Sequence, residues 1–136
     1  MESKFNNEFS QDQSRNDDML VVTDQGIDRE RLEQVFRQSE IRVYFCTTGE
    51  IDTTVDEICP DLVLLCIEKM SMDVVGDCLK ALGRTPTIVG GREIEVDSLV
   101  DLFRSGVDDY IDLCSTDDVI LDRVQSAFDD IFLGDR

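Results

Sequence analysis

Histidine and tryptophan are missing from this 136-residue chain, and proline occurs only twice. Without histidine, the chain lacks both the usual proton-transfer group near neutral pH and the commonest metal ligand of proteins. The five cysteines include no C-x-x-C pair, so the close thiolate spacing of zinc sites is missing as well. We therefore expect free thiols in a reducing compartment, no bound metal or cofactor, and a binding role rather than an enzymatic one.

Positive charge is also scarce, because 13 Lys and Arg residues oppose 31 Asp and Glu residues, for a net charge of −18. Such a surface repels nucleic acid and anionic membranes. No stretch approaches the ~18 apolar residues of a membrane span, and the first residues lack the apolar run of a secretory signal. The sequence predicts a cytoplasmic protein that binds another protein or a second copy of itself, with no direct contact to nucleic acid or membrane.

A polar segment and a patterned segment divide the chain. Residues 1–18 are rich in Asn, Gln, Ser and Asp, which predicts a disordered tail before a domain at residues 19–133. In the domain, short apolar runs alternate with amphipathic segments. They predict strands at residues 19–22, 41–46, 61–67, 86–89 and 110–113. They predict helices at residues 28–39, 51–58, 74–82, 96–105 and 115–132, the first capped by Asp28 and the last by a Ser115–Asp118 capping box.

Five strands alternating with five helices indicate an α/β fold in which helices cover both faces of a parallel sheet. The favoured arrangement is a doubly wound sheet of order 2-1-3-4-5, which binds ligands beyond the carboxyl ends of its strands. Helical spacing predicts an inward face on each helix. For the first, fourth and fifth helices it is formed by Leu32, Val35, Phe36, Leu99, Val100, Leu102, Phe103, Val119, Val124, Phe128 and Phe132.

Four stretches of the sequence, in the same order, resemble the receiver domain of two-component response regulators. They are MLVVTD at 19–24, PDLVLLCIE at 60–68, MD at 72–73 and SGVDDYI at 105–111. The resemblance extends over about residues 19–132. It implies a flavodoxin-like three-layer sandwich that acts in signal transduction.

The resemblance also implies a phosphorylation site at the strand ends. In that family an aspartate ending the third strand accepts a phosphoryl group, and an acidic pair after the first strand holds Mg²⁺. A Ser or Thr and a Lys, ending the fourth and fifth strands, contact the phosphoryl oxygens. The matching positions in this sequence are, in chain order, Thr23 with Asp24, Cys66, Gly91 and Leu113.

Only Asp24 keeps the residue type that the family uses, and one carboxylate is a weak candidate for holding Mg²⁺. Gly91 offers no hydroxyl and Leu113 no positive charge. We therefore predict a pseudo-receiver that no longer accepts a phosphoryl group. Its vestigial pocket consists of Thr23, Asp24, Cys66, Glu68, Gly91 and Leu113.

Tyr110 matches the aromatic residue that, in the family, couples the site to a face formed by the fourth helix, fifth strand and fifth helix. It could instead be an aromatic at the core rim with its hydroxyl in water. That face is where the family commonly dimerises, and it could also be a solvated charged surface. Its candidate interface residues are Arg104, Asp108, Asp109 and Asp129.

Three functions stay open from the sequence. The first is a protein-interaction module that is independent of phosphorylation. The second is a receiver with an unconventional acceptor such as Glu68, and the third is a sensor of a small molecule or anion in the vestigial pocket. A redox pair of Cys66 and Cys114 is disfavoured, since one strand separates them by about 10 Å, whereas disulfides need Cα atoms within ~7 Å.

Overall fold

The computed structural model describes residues 17–67 and 72–133. Its strands are β1 (Asp18–Val22), β2 (Arg42–Cys46), β3 (Leu62–Cys66), β4 (Thr87–Gly91) and β5 (Asp109–Asp112). Its helices are α1 (Gly26–Phe36), α2 (Ile51–Ile58), α3 (Met72–Leu82), α4 (Val96–Arg104) and α5 (Asp117–Leu133), with a 3-10 turn at Thr48–Glu50 before α2.

The strands form one parallel sheet of order β2-β1-β3-β4-β5, which confirms the predicted fold class and topology. The most apolar runs of the sequence occupy the middle of this sheet. Every residue of β3 and β4 is buried, because helices cover both faces of these strands. Continuous apolar runs, rather than alternating ones, are therefore what this sheet requires.

Two hydrophobic clusters lie on opposite faces of the sheet. On one face, Leu32, Val35 and Phe36 of α1 pack with Val124 and Phe128 of α5 against the strands. On the other face, residues of α2, α3 and α4 pack against the alternate side chains of the same strands. The three layers thus use both faces of each central strand.

Several local predictions were wrong. Residue 18 belongs to β1 rather than to the predicted tail, of which residues 1–16 lie outside the described residues. Helix α1 is preceded by Gln25 as its cap, and Asp28 is buried within its first turn. Thr116, rather than Ser115, accepts the capping hydrogen bond at the start of α5, from the Val119 amide.

The prediction of which α4 and α5 residues face the core was also partly wrong. Val100 and Phe103 of α4 are 40% and 46% exposed, and only Leu102 of that helix is fully buried. In α5, Val119 and Phe132 are exposed, whereas Ile120, which the prediction omitted, is buried. None of the helices within 17–67 and 72–133 is long and apolar enough to cross a membrane.

Candidate functional site at the carboxyl edge of the sheet

The carboxyl ends of the central strands bring most of the predicted pocket residues together. Cys66 ends β3 beside Gly90, and Gly91 ends β4 beside Asp112 of β5. Thr23 directly follows β1, and Leu113 directly follows β5. Glu68, the predicted unconventional acceptor, lies outside the described residues. The topology therefore places Thr23, Cys66, Gly91 and Leu113 at one edge, as the resemblance implies.

The two residues after β1 are engaged in local structure. Thr23 is buried, and its Oγ1 accepts a hydrogen bond of 3.1 Å from the Gln25 amide. The Asp24 carboxylate accepts hydrogen bonds from the Thr48 amide at 2.9 Å and from the Thr48 hydroxyl at 3.0 Å. Each carboxylate oxygen of Asp24 thus binds the turn that precedes α2, and Asp24 ties two loops together.

The residues at this edge do not fit the Mg²⁺ ion of the resembled family. Mg²⁺ requires several oxygen ligands in near-octahedral geometry. Both carboxylate oxygens of Asp24 accept hydrogen bonds from Thr48. The Asp112 carboxylate accepts a hydrogen bond of 2.8 Å from the Cys114 amide. In the part of the chain that the structure describes, no group of three or more Cys, Asp or Glu residues is arranged to bind a metal.

Cys66 and Leu113, at the acceptor and lysine positions, are core residues. They are 3% and 1% exposed and belong to the same hydrophobic cluster as Ile88 and Ile111. Leu113 also packs closely over Gly90, where a Cβ atom would lie 3.2 Å from its Cδ2. This part of the edge is filled by hydrocarbon rather than open to a phosphoryl group.

Gly91, at the hydroxyl position, lies directly beneath the side chain of Ile94. A Cβ atom on Gly91 would lie 2.8 Å from Cγ1 of Ile94 and 3.5 Å from Cγ1 of Ile67. Ile94 therefore occupies the space that a Ser or Thr side chain would need. The absence of a side chain on Gly91 is thus what allows Ile94 to pack at this point.

Two arginines that the sequence analysis did not connect with the pocket bind across this edge. Arg31 of α1 donates to the carbonyl oxygens of Leu113 and Ser115, the second at 2.6 Å, and also binds the Asp117 carboxylate. Arg92, after β4, donates from Nη2 to the buried Asp28 carboxylate at 2.6 Å. Helix α1 is thereby joined to the loops that follow β4 and β5. Contacts between residues more than 60 positions apart leave no local signal in a sequence.

Tyr110 lies on β5, and its side chain reaches the end of the neighbouring strand β4. Its hydroxyl donates a hydrogen bond of 3.2 Å to the Gly91 carbonyl oxygen, and its ring packs against the cluster on the α2, α3 and α4 face. Burial, followed by the nearby Asp112 carboxylate, raises the pKa of the Tyr110 hydroxyl. Tyr110 is half-buried, as the alternative of a rim aromatic expected, but its hydroxyl binds a backbone carbonyl oxygen.

The predicted interface residues do not form one surface. Asp108 accepts a hydrogen bond from the Thr87 amide at 2.9 Å, and Asp109 binds Arg123 of α5 at 2.7 Å. Arg104 lies exposed at the end of α4. Asp129 instead lines a cleft with residues 38–41 beyond the end of α1. Asp108 and Asp109 line a second cleft with Arg123 of α5, whereas Arg104 lies on α4 and Asp129 lies in the first cleft.

An apolar surface on α4 was missed, because Val100 and Phe103 were predicted to face the core and Val96 was not considered. Val96, Val100 and Phe103 are 73%, 40% and 46% exposed, and their spacing places them along one side of the helix. We refer to these three residues as the α4 stripe. Large exposed apolar groups that form a contiguous patch mark interaction sites in soluble domains.

Comparison with known proteins agrees with this architecture. No family model and no curated protein matches the sequence. Solved structures do match, and receiver domains of response regulators are among them. The three structures described next are 17–19% identical to this chain. At that level of identity the likeness concerns the fold, and it shows that the chain has the receiver fold.

Three of these structures illustrate the likeness. The signal receiver domain of a LuxO repressor protein from Vibrio parahaemolyticus has a TM-score of 0.76 and 19% identity, and the match covers 89% of this chain and 96% of that one. A CheY-like receiver domain protein from Methanospirillum hungatei gives 0.74 at 17% identity, with 88% and 99% covered. NtrX from Brucella abortus gives 0.75 at 17%, with 88% of this chain and 29% of that chain covered.

Proposed function

We propose that this chain is a pseudo-receiver, a domain that acts in signal transduction by binding a protein partner and without accepting a phosphoryl group. The observation that carries the proposal is the filled carboxyl edge of the sheet. Ile94 lies over Gly91, and Cys66 and Leu113 are buried in one hydrophobic cluster. Asp24 directs both carboxylate oxygens to Thr48. Each contact required for phosphoryl transfer is replaced by a packing or loop-holding contact.

The α4 stripe is the proposed binding surface. Its rim is mainly acidic, because Glu93, Glu95, Asp97 and Asp101 are exposed at or near the same helix, against one exposed arginine, Arg104, at the end of the helix. An apolar stripe within an acidic rim is complementary to a segment that carries apolar residues flanked by Lys or Arg. We therefore assign the stripe to a partner with a basic, amphipathic segment.

A second copy of the chain fits this surface less well. In a two-fold symmetric dimer the same patch meets itself, so the acidic rim of one copy would face the acidic rim of the other. Each copy also carries a net charge of −18. Like charges across an interface disfavour association and slow the encounter of the two chains.

The phosphorylation part of the proposal is tested by treating the purified chain with acetyl phosphate and Mg²⁺ and measuring its intact mass. We expect no gain of a phosphoryl group. A stable gain that disappears in a Glu68→Gln variant would contradict the proposal and support the unconventional acceptor.

The interface part is tested with a synthetic helical peptide that has leucines on one face and lysines on the other. NMR titration of the labelled chain at physiological salt should show shifts concentrated at residues 96–104. Val100→Asp should weaken binding at least about tenfold, because it buries a charge in the interface. Val74→Asp is the matched control, since Val74 is also a 40% exposed valine and lies on α3.

The control also removes the effect of overall charge, because both variants add one carboxylate. Equal loss of binding in the two variants would contradict the assignment of the surface. Absence of peptide binding, together with self-association that Val100→Asp abolishes in sedimentation, would show that the occupant is a second copy.

A further inference from the structure

The ion pair between Asp28 and Arg92 is unusual for its burial. Asp28 is 1% exposed, and its Oδ1 accepts a 2.6 Å hydrogen bond from Arg92 Nη2. Its other oxygen, Oδ2, is buried and has no hydrogen-bond partner within the described residues. A buried carboxylate is tolerated only when a positive charge or hydrogen bonds compensate its lost hydration. Arg92, which lies 64 positions further along the chain, provides the positive charge and the hydrogen bond.

Arg92 begins the short segment that joins β4 to α4. The next residue, Glu93, has a left-handed backbone conformation with a φ of 54°, which a non-glycine residue adopts only when its surroundings impose it. Ile94, one residue further, packs over Gly91. Helix α4 then begins at Val96, so the path of residues 92–95 determines where the α4 stripe starts.

Tyr110 contacts the same segment from β5. Its hydroxyl donates to the carbonyl oxygen of Gly91, the residue that precedes Arg92. The nearby Ile94 backbone lowers the pKa of this hydroxyl, against the larger effect of burial, which raises it. Helix α1, through Asp28, and strand β5, through Tyr110, therefore bind one short segment from two sides.

We propose that the Asp28–Arg92 pair is an intramolecular latch that fixes residues 91–95, keeps Tyr110 inward and orients the start of α4. In a domain whose edge cannot accept a phosphoryl group, this fixed negative charge holds the segment in one arrangement at all times. The latch fixes the position of the surface assigned under the proposed function and rests on that proposal for its biological meaning. The latch itself is a property of the folded chain and can be tested without any partner.

The test uses Tyr110 as a reporter. The chain has two tyrosines and no tryptophan, so a Tyr44→Phe background leaves Tyr110 as the single emitting side chain. In this background we compare Arg92→Gln, Asp28→Asn and the double variant. The matched control is Arg42→Gln, which breaks the Asp18–Arg42 pair of 2.7 Å beside β1, away from the carboxyl edge.

For Arg92→Gln we expect hydrogen exchange of the Leu99 and Leu113 amides, which donate to the carbonyl oxygens of Glu95 and Gly91, to accelerate about tenfold relative to amides of β1 and β3 in the same sample. We also expect acrylamide to quench Tyr110 fluorescence about twice as effectively, as the hydroxyl loses its contact with Gly91. The double variant should be perturbed no more than Arg92→Gln, because it removes the same contact without leaving an unpaired buried carboxylate. The control should leave both measurements unchanged.

Unchanged exchange of the Leu99 and Leu113 amides in folded Arg92→Gln would overturn the latch, as would an equal change in Arg42→Gln. If Arg92→Gln does not fold, Asp28→Asn decides by the same two measurements, since it keeps the shape of the side chain and removes the buried charge. Neither readout involves a binding partner. Failure of the latch is therefore distinguishable from failure of the proposed interaction surface.

Discussion

Ile94 fills the space above Gly91: a Cβ atom on the glycine would lie only 2.8 Å from Cγ1 of the isoleucine. At the corresponding place a phosphate-accepting receiver needs a hydroxyl group, and a hydroxyl-bearing side chain cannot coexist with Ile94 in its present position. A serine or threonine at position 91 therefore requires the Ile94 side chain to move.

The first prediction concerns this contact. Gly91→Ala should lower the free energy of unfolding by about 1 kcal/mol, because the new methyl group displaces the far end of the Ile94 side chain. Ile94→Ala should remove most of the penalty of Gly91→Ala when the two are combined. Urea unfolding of the four proteins of this double-mutant cycle measures the coupling. Additive effects would mean that Ile94 does not occupy the position described.

The second prediction concerns the acceptor position. Cys66→Asp should not restore phosphorylation, because Thr23, Gly91 and Leu113 still provide neither metal ligand, hydroxyl nor positive charge. The variant should lose about 1–3 kcal/mol of stability at pH 8, since it places a carboxylate in a hydrophobic cluster. Mg²⁺-dependent phosphorylation of the single variant, seen by intact mass, would show that the edge is less altered than proposed.

The pH dependence of the same variant has a definite sign. Burial raises the pKa of a carboxyl group in the folded chain above its unfolded value. The folded state then holds the proton more tightly than the unfolded state. The stability that Cys66→Asp loses relative to wild type therefore grows as the pH rises from the unfolded pKa towards the folded pKa, and it is smaller at pH 5.5 than at pH 8. Cys66→Ser is the control, because serine does not ionise between pH 5.5 and pH 8. Its stability difference from wild type should be the same at both pH values.

The third prediction separates loop-holding from metal binding at Asp24. Asp24→Ala should lower stability by about 1 kcal/mol, because two hydrogen bonds to Thr48 are lost. Millimolar Mg²⁺ should leave the melting temperature of the wild type and the variant equally unchanged. Stabilisation of the wild type alone by Mg²⁺ in a thermal melt would restore Asp24 as a metal ligand.

The topology was predictable because the central strands are apolar on both faces. β3 and β4 are completely buried, and a run such as LVLLC has no exposed position that would require a polar residue. The positions of Thr23, Cys66, Gly91 and Leu113 followed from the ends of those strands. In a parallel sheet all strand ends of one kind meet at one edge, so locating the strands also located the pocket.

The contents of the pocket were less predictable. Asp28 preceded an apolar pattern and therefore resembled a helix cap, but its partner is Arg92, far along the chain. Spacing alone also could not decide which apolar residues of α4 face the core. Val100 and Phe103 share the helical spacing of Leu102, yet only Leu102 is fully buried, because the sheet and the loops cover just part of the helix.

The fourth prediction concerns the thiols. Cys46, Cys66 and Cys78 are buried, whereas Cys59 and Cys114 are exposed, so only the last two should react with iodoacetamide in the folded protein. Desolvation, followed by the Asp112 carboxylate, raises the pKa of the Cys114 thiol. Because the thiolate is the reactive form, this shift lowers the reaction rate of Cys114 at neutral pH.

Asp112→Asn should therefore lower the pKa of Cys114, move its rate profile to lower pH and speed its alkylation at pH 7.5 about threefold. The side-chain oxygen of asparagine can still accept the hydrogen bond of the Cys114 amide, so the loop should keep its shape. Cys59 in the same sample is the internal reference, and its rate should not change. Peptide mass spectrometry of timed samples measures both sites, and an unaltered ratio of the Cys114 and Cys59 rates would show that Asp112 does not control this thiol.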